Sequence, residues 1–252
     1  MSAVKFFGIL NVTPDSFSDG GAFFAPETAI VQAKKLFAEG ADFLDIGGQS
    51  TRPGAAEISP EEEWGRVEPV FTELLSRFPQ KISLDTRHPS VAHKFLALGG
   101  SVLNAVSGVH SPEMQEVIAA FQPTVIVMHF PGETIAQVHA QAIDSAEIIR
   151  DDLLTQKDLL KKCGLPSEKI ILDPGIGFGK TMQLNADLLT FPALLPEEQV
   201  LIGHSRKRFL GPDRFTLTPN LLAAKRAVES GAAFLRVHEV APYKALQKEP
   251  GI

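Results

Sequence analysis

Eight short runs rich in aliphatic and β-branched residues recur along the chain, at residues 5–10, 43–46, 81–84, 101–103, 124–128, 169–172, 200–202 and 234–237. Between them, residues 28–39, 61–77, 89–98, 135–162 and 219–230 carry apolar side chains at three- and four-residue spacing, the period of a helix. Such alternation predicts a parallel sheet with crossover helices. At 252 residues a closed (β/α)8 TIM barrel fits better than an open sheet. No linker, composition shift or low-complexity segment interrupts the pattern, so residues 1–252 are read as one α/β barrel domain.

A barrel of this kind carries its active site at the C-terminal ends of its strands. Those ends fall at Asn11, Asp45, Asp85, Asn104, His129, Asp173, the run Ser205-Arg206-Lys207, and Arg236 with His238. One polar residue after a strand is usually a turn former, but eight converging on one rim point to a catalytic pocket. Asp85 and Asp173, with Asn104, offer acceptors and an amide suited to the edge of a flat amidine- or guanidine-like ring. Arg52, Lys207, Arg236 and His238 supply donors and positive charge around it, where a small phosphorylated or carboxylated substrate would bind. The competing account makes each aspartate half of a barrel ion pair and Arg206-Lys207-Arg208 a solvated surface run.

The densest of these ends is IILDPGIGFGK, residues 170–180. Pro174 stops the strand after Asp173, and Gly175, Gly177 and Gly179 give a backbone that can lie against a ligand. The segment is not a phosphate-cradling P-loop, because Pro174 stands where the first glycine is required. The dinucleotide fingerprint fails as well, since its third glycine would fall on Lys180. A formal charge of -6 and a pI near 5.7 leave no basic face for nucleic acid. Cys163 is the only cysteine, which suits a reducing cytoplasm, and no apolar run reaches the ~18 residues of a membrane span. Residues 1–11 lack the cationic start and apolar length of a signal peptide.

Two loops are long, polar and glycine-rich enough to act as lids, residues 12–24 and 47–59. Phe17, Phe23 and Phe24 beside Asp-Gly-Gly suggest a hydrophobic cover for a ligand. Together the segments GILNVTPDSFSDGG, DIGGQSTRPGA, ISLDTR, LNAVSG, VMHF, ILDPGIGFGK, GHSRK and RVHEV, in this order and spacing, closely resemble the dihydropteroate synthases of folate synthesis. The resemblance runs from Gly8 to about Val240.

That resemblance implies a reaction in which p-aminobenzoate displaces diphosphate from 6-hydroxymethyl-7,8-dihydropterin diphosphate, with Mg2+ as cofactor. It implies that Asp85, Asn104, Asp173 and Lys207 hold the pterin, with Met128 and Phe178 beside it. Asn11, Thr51, Arg52, Arg236 and His238 would bind the diphosphate, and Asn11 the Mg2+. Phe17, Pro53, Phe178, Ser205 and Arg206 would surround p-aminobenzoate, the group sulfonamides imitate. The catalytic set is Asp85, Asp173, Lys207, Arg52 and Asp19, the last positioning the metal or the amine. Pairing of two copies through the late helices is compatible with the apolar residues of 219–230.

The chain departs from the usual family pattern at Gln49 for glutamate, Ala105 for aspartate, Phe130 for methionine and Glu239 for aspartate. The segment after Gly211, PDRFTLTPNLLAA, does not match the family's small turn. One rival from another class is a pterin-binding protein without synthase activity, an inactive paralogue or methyl-transfer barrel. Such a protein has no use for a diphosphate clamp, so intact Arg52, Arg236 and His238 favour the synthase. A metal-dependent hydrolase would want a His-x-His pair after the first strand, where Asn11 stands, and a Schiff-base lysine at 207 is disfavoured by flanking Arg206 and Arg208.

Overall fold

The computed structural model describes residues 3–13, 26–52 and 54–246. Eight parallel strands form its centre: β1 (Lys5–Asn11), β2 (Phe43–Gly47), β3 (Ile82–Thr86), β4 (Val102–Ala105), β5 (Thr124–Met128), β6 (Ile170–Asp173), β7 (Leu201–Ile202) and β8 (Phe234–Val237). They pair in the order β6-β5-β4-β3-β2-β1-β8-β7. A lone parallel bridge between Leu172 and Val200, with the Leu172 amide donating to the Gln199 carbonyl at 2.8 Å, joins the two ends of that order into a nearly closed barrel.

Helices alternate with the strands: α1 (Pro26–Ala38), α2 (Pro60–Arg77), α3 (Pro89–Ala97), α4 (Pro112–Phe121), α5 (Ile135–His139), α6 (Ala146–Lys162), α7 (Met182–Asp187), α8 (Leu217–Glu229) and α9 (Ala241–Leu246). Local chemistry fixes their starts. In α2 the Ser59 hydroxyl accepts from the Glu62 amide, Pro60 supplies a preset first turn, and Glu61, Glu62 and Glu63 face the positive end of the helix dipole. Its buried face of Trp64, Val67, Val70, Phe71 and Leu74 repeats every three or four residues and packs on the barrel.

One sequence expectation is corrected. Residues 135–162 are not a single helix but α5 and α6, because Ile143 leaves the helical path to form a parallel bridge with Lys180. Its amide donates to the Gly179 carbonyl and its own carbonyl accepts from the Thr181 amide, each at 2.9 Å. Ser145 then caps α6 through the Ile148 amide.

The barrel interior is filled in layers. Its lower part is an apolar plug of Phe7, Val102, Ile126, Ile171, Leu201 and Phe234, one residue from each of six strands, with Phe7 stacked on Phe43 at 4.7 Å between ring centroids. Burying each such side chain is worth about 1.5–3 kcal/mol, so the plug fixes the strand register from inside. Polar residues begin above it. Asp45 lies beside Ser83, Asp85 beside Asn104, and Met128 beside Asp173 in the strand register.

Candidate active site

Directly above the plug sits a charged floor. Asp45 accepts from the Ser83 hydroxyl at 2.7 Å through Oδ1 and from the Asn104 side-chain amide at 2.8 Å through Oδ2. Arg236, on β8, lies between two carboxylates, 3.5 Å from Asp45 Oδ2 and 3.1 Å from Asp173 Oδ2. Asp173 Oδ1 also accepts from the Gly175 amide at 2.8 Å. Burial opposes charge on Arg236, but Asp173, Asp45 and Asp85 outweigh it and hold the guanidinium protonated. Burial pushes Asp45 up, against the pull of Arg236, Ser83 and Asn104.

The floor is not internally satisfied. Asn104 Oδ1, Asp173 Oδ2 and Arg236 Nη1 are buried atoms without a hydrogen-bond partner. Native interiors seldom leave such groups without hydrogen bonds, and although Asp173 Oδ2 and Arg236 Nη1 keep ion-pair contacts, the cluster suits a ligand that supplies the missing bonds. Asp85, half-buried next to Asn104, has its carboxyl pushed up to about 8 by burial and by the Asp45 charge. Lys207 is pulled down to about 8 by burial and by Arg236. A carboxyl and an amine poised at similar pKa are what acid–base and cation-handling sites contain.

The glycine-rich turn after β6 places Lys207. Gly177, at φ +89°, passes so close beneath the amine that an added Cβ would stand 3.1 Å from Lys207 Nζ. The amine in turn lies 4.6 Å over the Phe178 ring. Phe178 belongs to an apolar wall with Met128, Val106, Phe130, Ile135 and Val138. Charged floor and apolar wall together suit a flat polar ring.

Around the rim, His238 faces the Ser205 hydroxyl, Nδ1 to Oγ at 3.0 Å. Burial, then the charges of Arg206, Lys207, Arg52 and Arg236, pull its imidazole down to about 3, so it is neutral near pH 7. Arg52 is exposed, while Thr51 and Asn11 are half-buried. The second loop is tied at several points: the Thr51 carbonyl to His139 at 3.0 Å, the Gly48 carbonyl to Arg66 at 2.8 Å, and Glu57 to Arg87 at 2.8 Å. Arg206 holds a positive φ of 60°, its amide donating to Asn220 Oδ1 on α8 at 2.9 Å. Phe17, Asp19, Phe23, Phe24 and Pro53 lie outside the described residues.

A family model described as "Pterin binding enzyme" matches residues 7–238. The dihydropteroate synthase of Synechocystis sp. is 41% identical over 248 residues, covering 92% of this chain and 84% of that protein. The chain belongs to the dihydropteroate synthase family. It is also 41% identical over 246 residues to a probable bifunctional folylpolyglutamate synthase/dihydropteroate synthase of Halobacterium salinarum, a match that spans 92% of this chain but 29% of that longer protein. Among solved structures, the Burkholderia cenocepacia dihydropteroate synthase complexed with 7,8-dihydropteroate superposes with a TM-score of 0.83 at 33% identity, over 98% of this chain and 90% of that one.

The positions where this dihydropteroate synthase family member departs from the usual pattern each have a place in the structure. Glu239 ion-pairs with Arg206 at 3.0 Å. Phe130 packs 5.9 Å from Phe178 in the apolar wall, and Ala105 is fully buried in β4. Both side-chain amide atoms of Gln49 are buried without a partner, which nothing among the described residues explains. The unmatched segment after Gly211 leads into α8, where Asn220 donates to the Arg214 and Thr216 carbonyls at 2.7 Å each while supporting Arg206. Sequence reading gave no site role to Asp45, Ser83 or Asn220. Asp45 was visible only as a strand end, and its partners come from β3, β4 and β8.

Proposed function

We propose that the chain is a transferase that condenses 6-hydroxymethyl-7,8-dihydropterin diphosphate with p-aminobenzoate to give 7,8-dihydropteroate and diphosphate. The observation that carries this reading is the buried floor in which Asn104 Oδ1 lacks a partner and Asp173 Oδ2 and Arg236 Nη1 keep only ion-pair contacts. A pterin edge presents N–H donors and a carbonyl in one plane, which is what such a floor can satisfy. Lys207 over Phe178 would close on the ring from the wall side.

The reaction is substitution at the methylene carbon beside the ring. The bond from that carbon to the diphosphate oxygen breaks, a bond to the amine nitrogen forms, and the amine loses a proton. Early departure of diphosphate leaves a ring-stabilised cation, which the Asp173 carboxylate would favour and toward which the raised Asp85 carboxyl would give up its proton. Thr51, Arg52, His238 and Arg236, whose Nη1 lies 3.5 Å from Asp45 without a hydrogen bond, would receive the charge that grows on the leaving group, and one well-aimed donor of this kind contributes about 2.7–4 kcal/mol in comparable sites. His238, held neutral by burial and the surrounding cations, would offer a ring N–H to that charge. Phe178, Ser205 and Arg206, with Phe17 and Pro53, would flank the amine substrate, and Arg206 would pair with its carboxylate.

Asn11 is the expected Mg2+ ligand. It ends β1 half-buried, and the described residues contain no cluster of three or more His, Cys, Asp or Glu that could cage a metal. That donor set fits an ion that keeps most of its waters and is carried by substrate phosphates. When bound, the ion would neutralise charge on the diphosphate.

Two copies would pair through α8, where Leu217 and Leu222 are exposed, with exposed Phe215 just before it. Sedimentation at micromolar concentration should give twice the chain mass. No helix among the described residues is long and apolar enough to cross a membrane, and a lone partly buried Cys163 is compatible with the cytoplasm. The deciding experiment is diphosphate release from the dihydropterin diphosphate with Mg2+, with and without p-aminobenzoate. Release that requires p-aminobenzoate is the expected result, and pterin binding without release would refute the synthase.

A further inference from the structure

We infer that Asp45 is a positioning residue which turns the Asn104 amide so that its carbonyl oxygen is the end left for the ligand, making the barrel floor select rings that donate hydrogen bonds. The inference rests on the pterin reading of the pocket and adds a determinant of ring specificity to it.

An asparagine amide has a donating and an accepting end, and which end meets the ligand decides what the site reads. Here one neighbour settles it. Asp45 Oδ2 faces both the Asn104 Nδ2, at 2.8 Å, and Arg236 Nη1, at 3.5 Å. A guanidinium has only donors, so the oxygen beside it must be an acceptor and cannot carry a proton. The Asn104 end turned to that oxygen is therefore its NH2 group. Asp45 is itself locked, its other oxygen taking the Ser83 hydroxyl at 2.7 Å. What remains is Asn104 Oδ1, buried and without a partner.

The adjoining groups point the same way. Asp173 Oδ2 is a second buried acceptor whose one contact is its ion pair with Arg236 at 3.1 Å, and Asp85 stands beside Asn104 in the strand register. A 2-amino-4-oxo ring brings an exocyclic NH2 and a ring N–H to such a floor. A 2,4-dioxo ring of the same shape sets a carbonyl oxygen where the amino group was, acceptor against acceptor. Facing two like groups without compensation forfeits roughly 1–3 kcal/mol, about a ten-fold loss or more in affinity.

The test compares binding of 6-hydroxymethylpterin and its 2,4-dioxo analogue to the full chain by calorimetry, with thermal unfolding of every variant as a check on folding. The wild type should prefer the amino ring. Asp45→Ala frees the Asn104 amide to rotate and should narrow that preference roughly ten-fold. Asp45→Asn should keep it, because its side-chain carbonyl can stand where Oδ2 faces Arg236 and Asn104. Asn104→Ala should narrow the preference as Asp45→Ala does, and it decides the matter should Asp45→Ala not fold. An unchanged preference in folded Asp45→Ala or in Asn104→Ala overturns the inference. So does an Asp45→Asn protein that loses the preference as fully as the alanine variant, since charge rather than orientation would then be the role. Asp173→Asn separates this failure from failure of the pterin reading: it should weaken pterin binding at least ten-fold whatever Asp45 does. Binding of neither ring by the wild type overturns both.

Discussion

Two arginines read alike in the sequence, yet their surroundings give them different work. Arg236 is wedged between Asp45 and Asp173, with its side chain 12% exposed, whereas Arg52 stands exposed at the mouth. Arg52→Ala should therefore weaken the diphosphate substrate roughly ten-fold or more while leaving the unphosphorylated pterin within about two-fold, as equilibrium binding of the two ligands would show. Equal losses would make Arg52 a packing residue. Glu63 offers a second test at this scale. It is buried under the second loop, one oxygen taking the Thr86 hydroxyl at 2.8 Å and the other unpartnered, and burial pushes its carboxyl up to about 7. A raised folded pKa means that its stability contribution is complete below about 4.5 and is lost as pH rises through 7. Glu63→Gln, which never ionises, should thus gain on the wild type between pH 4.5 and 7 and stay about 1–3 kcal/mol more stable above that window, measured by urea unfolding. The sequence displayed Asp85, Asn104 and Asp173 as strand ends because a strand end is a local pattern. It did not display the work of Asp45, whose partners lie on three other strands and have no spacing to find.

Between residue and molecule, the turn from Asp173 to Lys180 shows two glycines of different kinds. Gly175 has φ +67°, and a Cβ there would stand 2.3 Å from the His129 carbonyl oxygen, which belongs to the backbone and has nowhere to go. Gly177 has φ +89°, but its obstacle is the far end of the Lys207 side chain, at 3.1 Å. Gly175→Ala should cost several kcal/mol, more than the ~1–2 kcal/mol of the left-handed backbone alone, and yield little folded protein. Gly177→Ala should cost about 1–2 kcal/mol, remain folded, and lose pterin affinity because Lys207 is displaced. Unfolding curves and pterin titrations on the two variants would separate these outcomes. The glycines were legible in the sequence, but their division of labour depends on what each approaches. Similarly, α4 and the break before α6 announce themselves by Ser111-Pro112 and Ser145 as caps, signals weaker in a first reading than the apolar period running through residues 135–162. What no local pattern held was the Ile143 bridge to Lys180, a pairing made by tertiary structure.

At the scale of the whole barrel, seven of the eight strand neighbours share continuous ladders, and the eighth junction, β6 to β7, has only the Leu172–Val200 bridge. The eightfold alternation of the sequence predicted the ring, and all eight strands overlap the runs expected. It did not predict where the ring would be weakest, since β7 is cut to Leu201–Ile202 and the chain then turns away toward Lys207. Mechanically this is a split ring, with Asp173 on one lip and Lys207 following the other. A ligand gripped by both would act as a clasp, making substrate capture and tightening of the hoop one event. The Leu172 amide, which donates across the split, should exchange with solvent faster than amides of the β1–β2 ladder in the free protein. Saturating pterin should slow it more than those others, and proton exchange followed by mass spectrometry or NMR would reveal a hoop that its own substrate fastens.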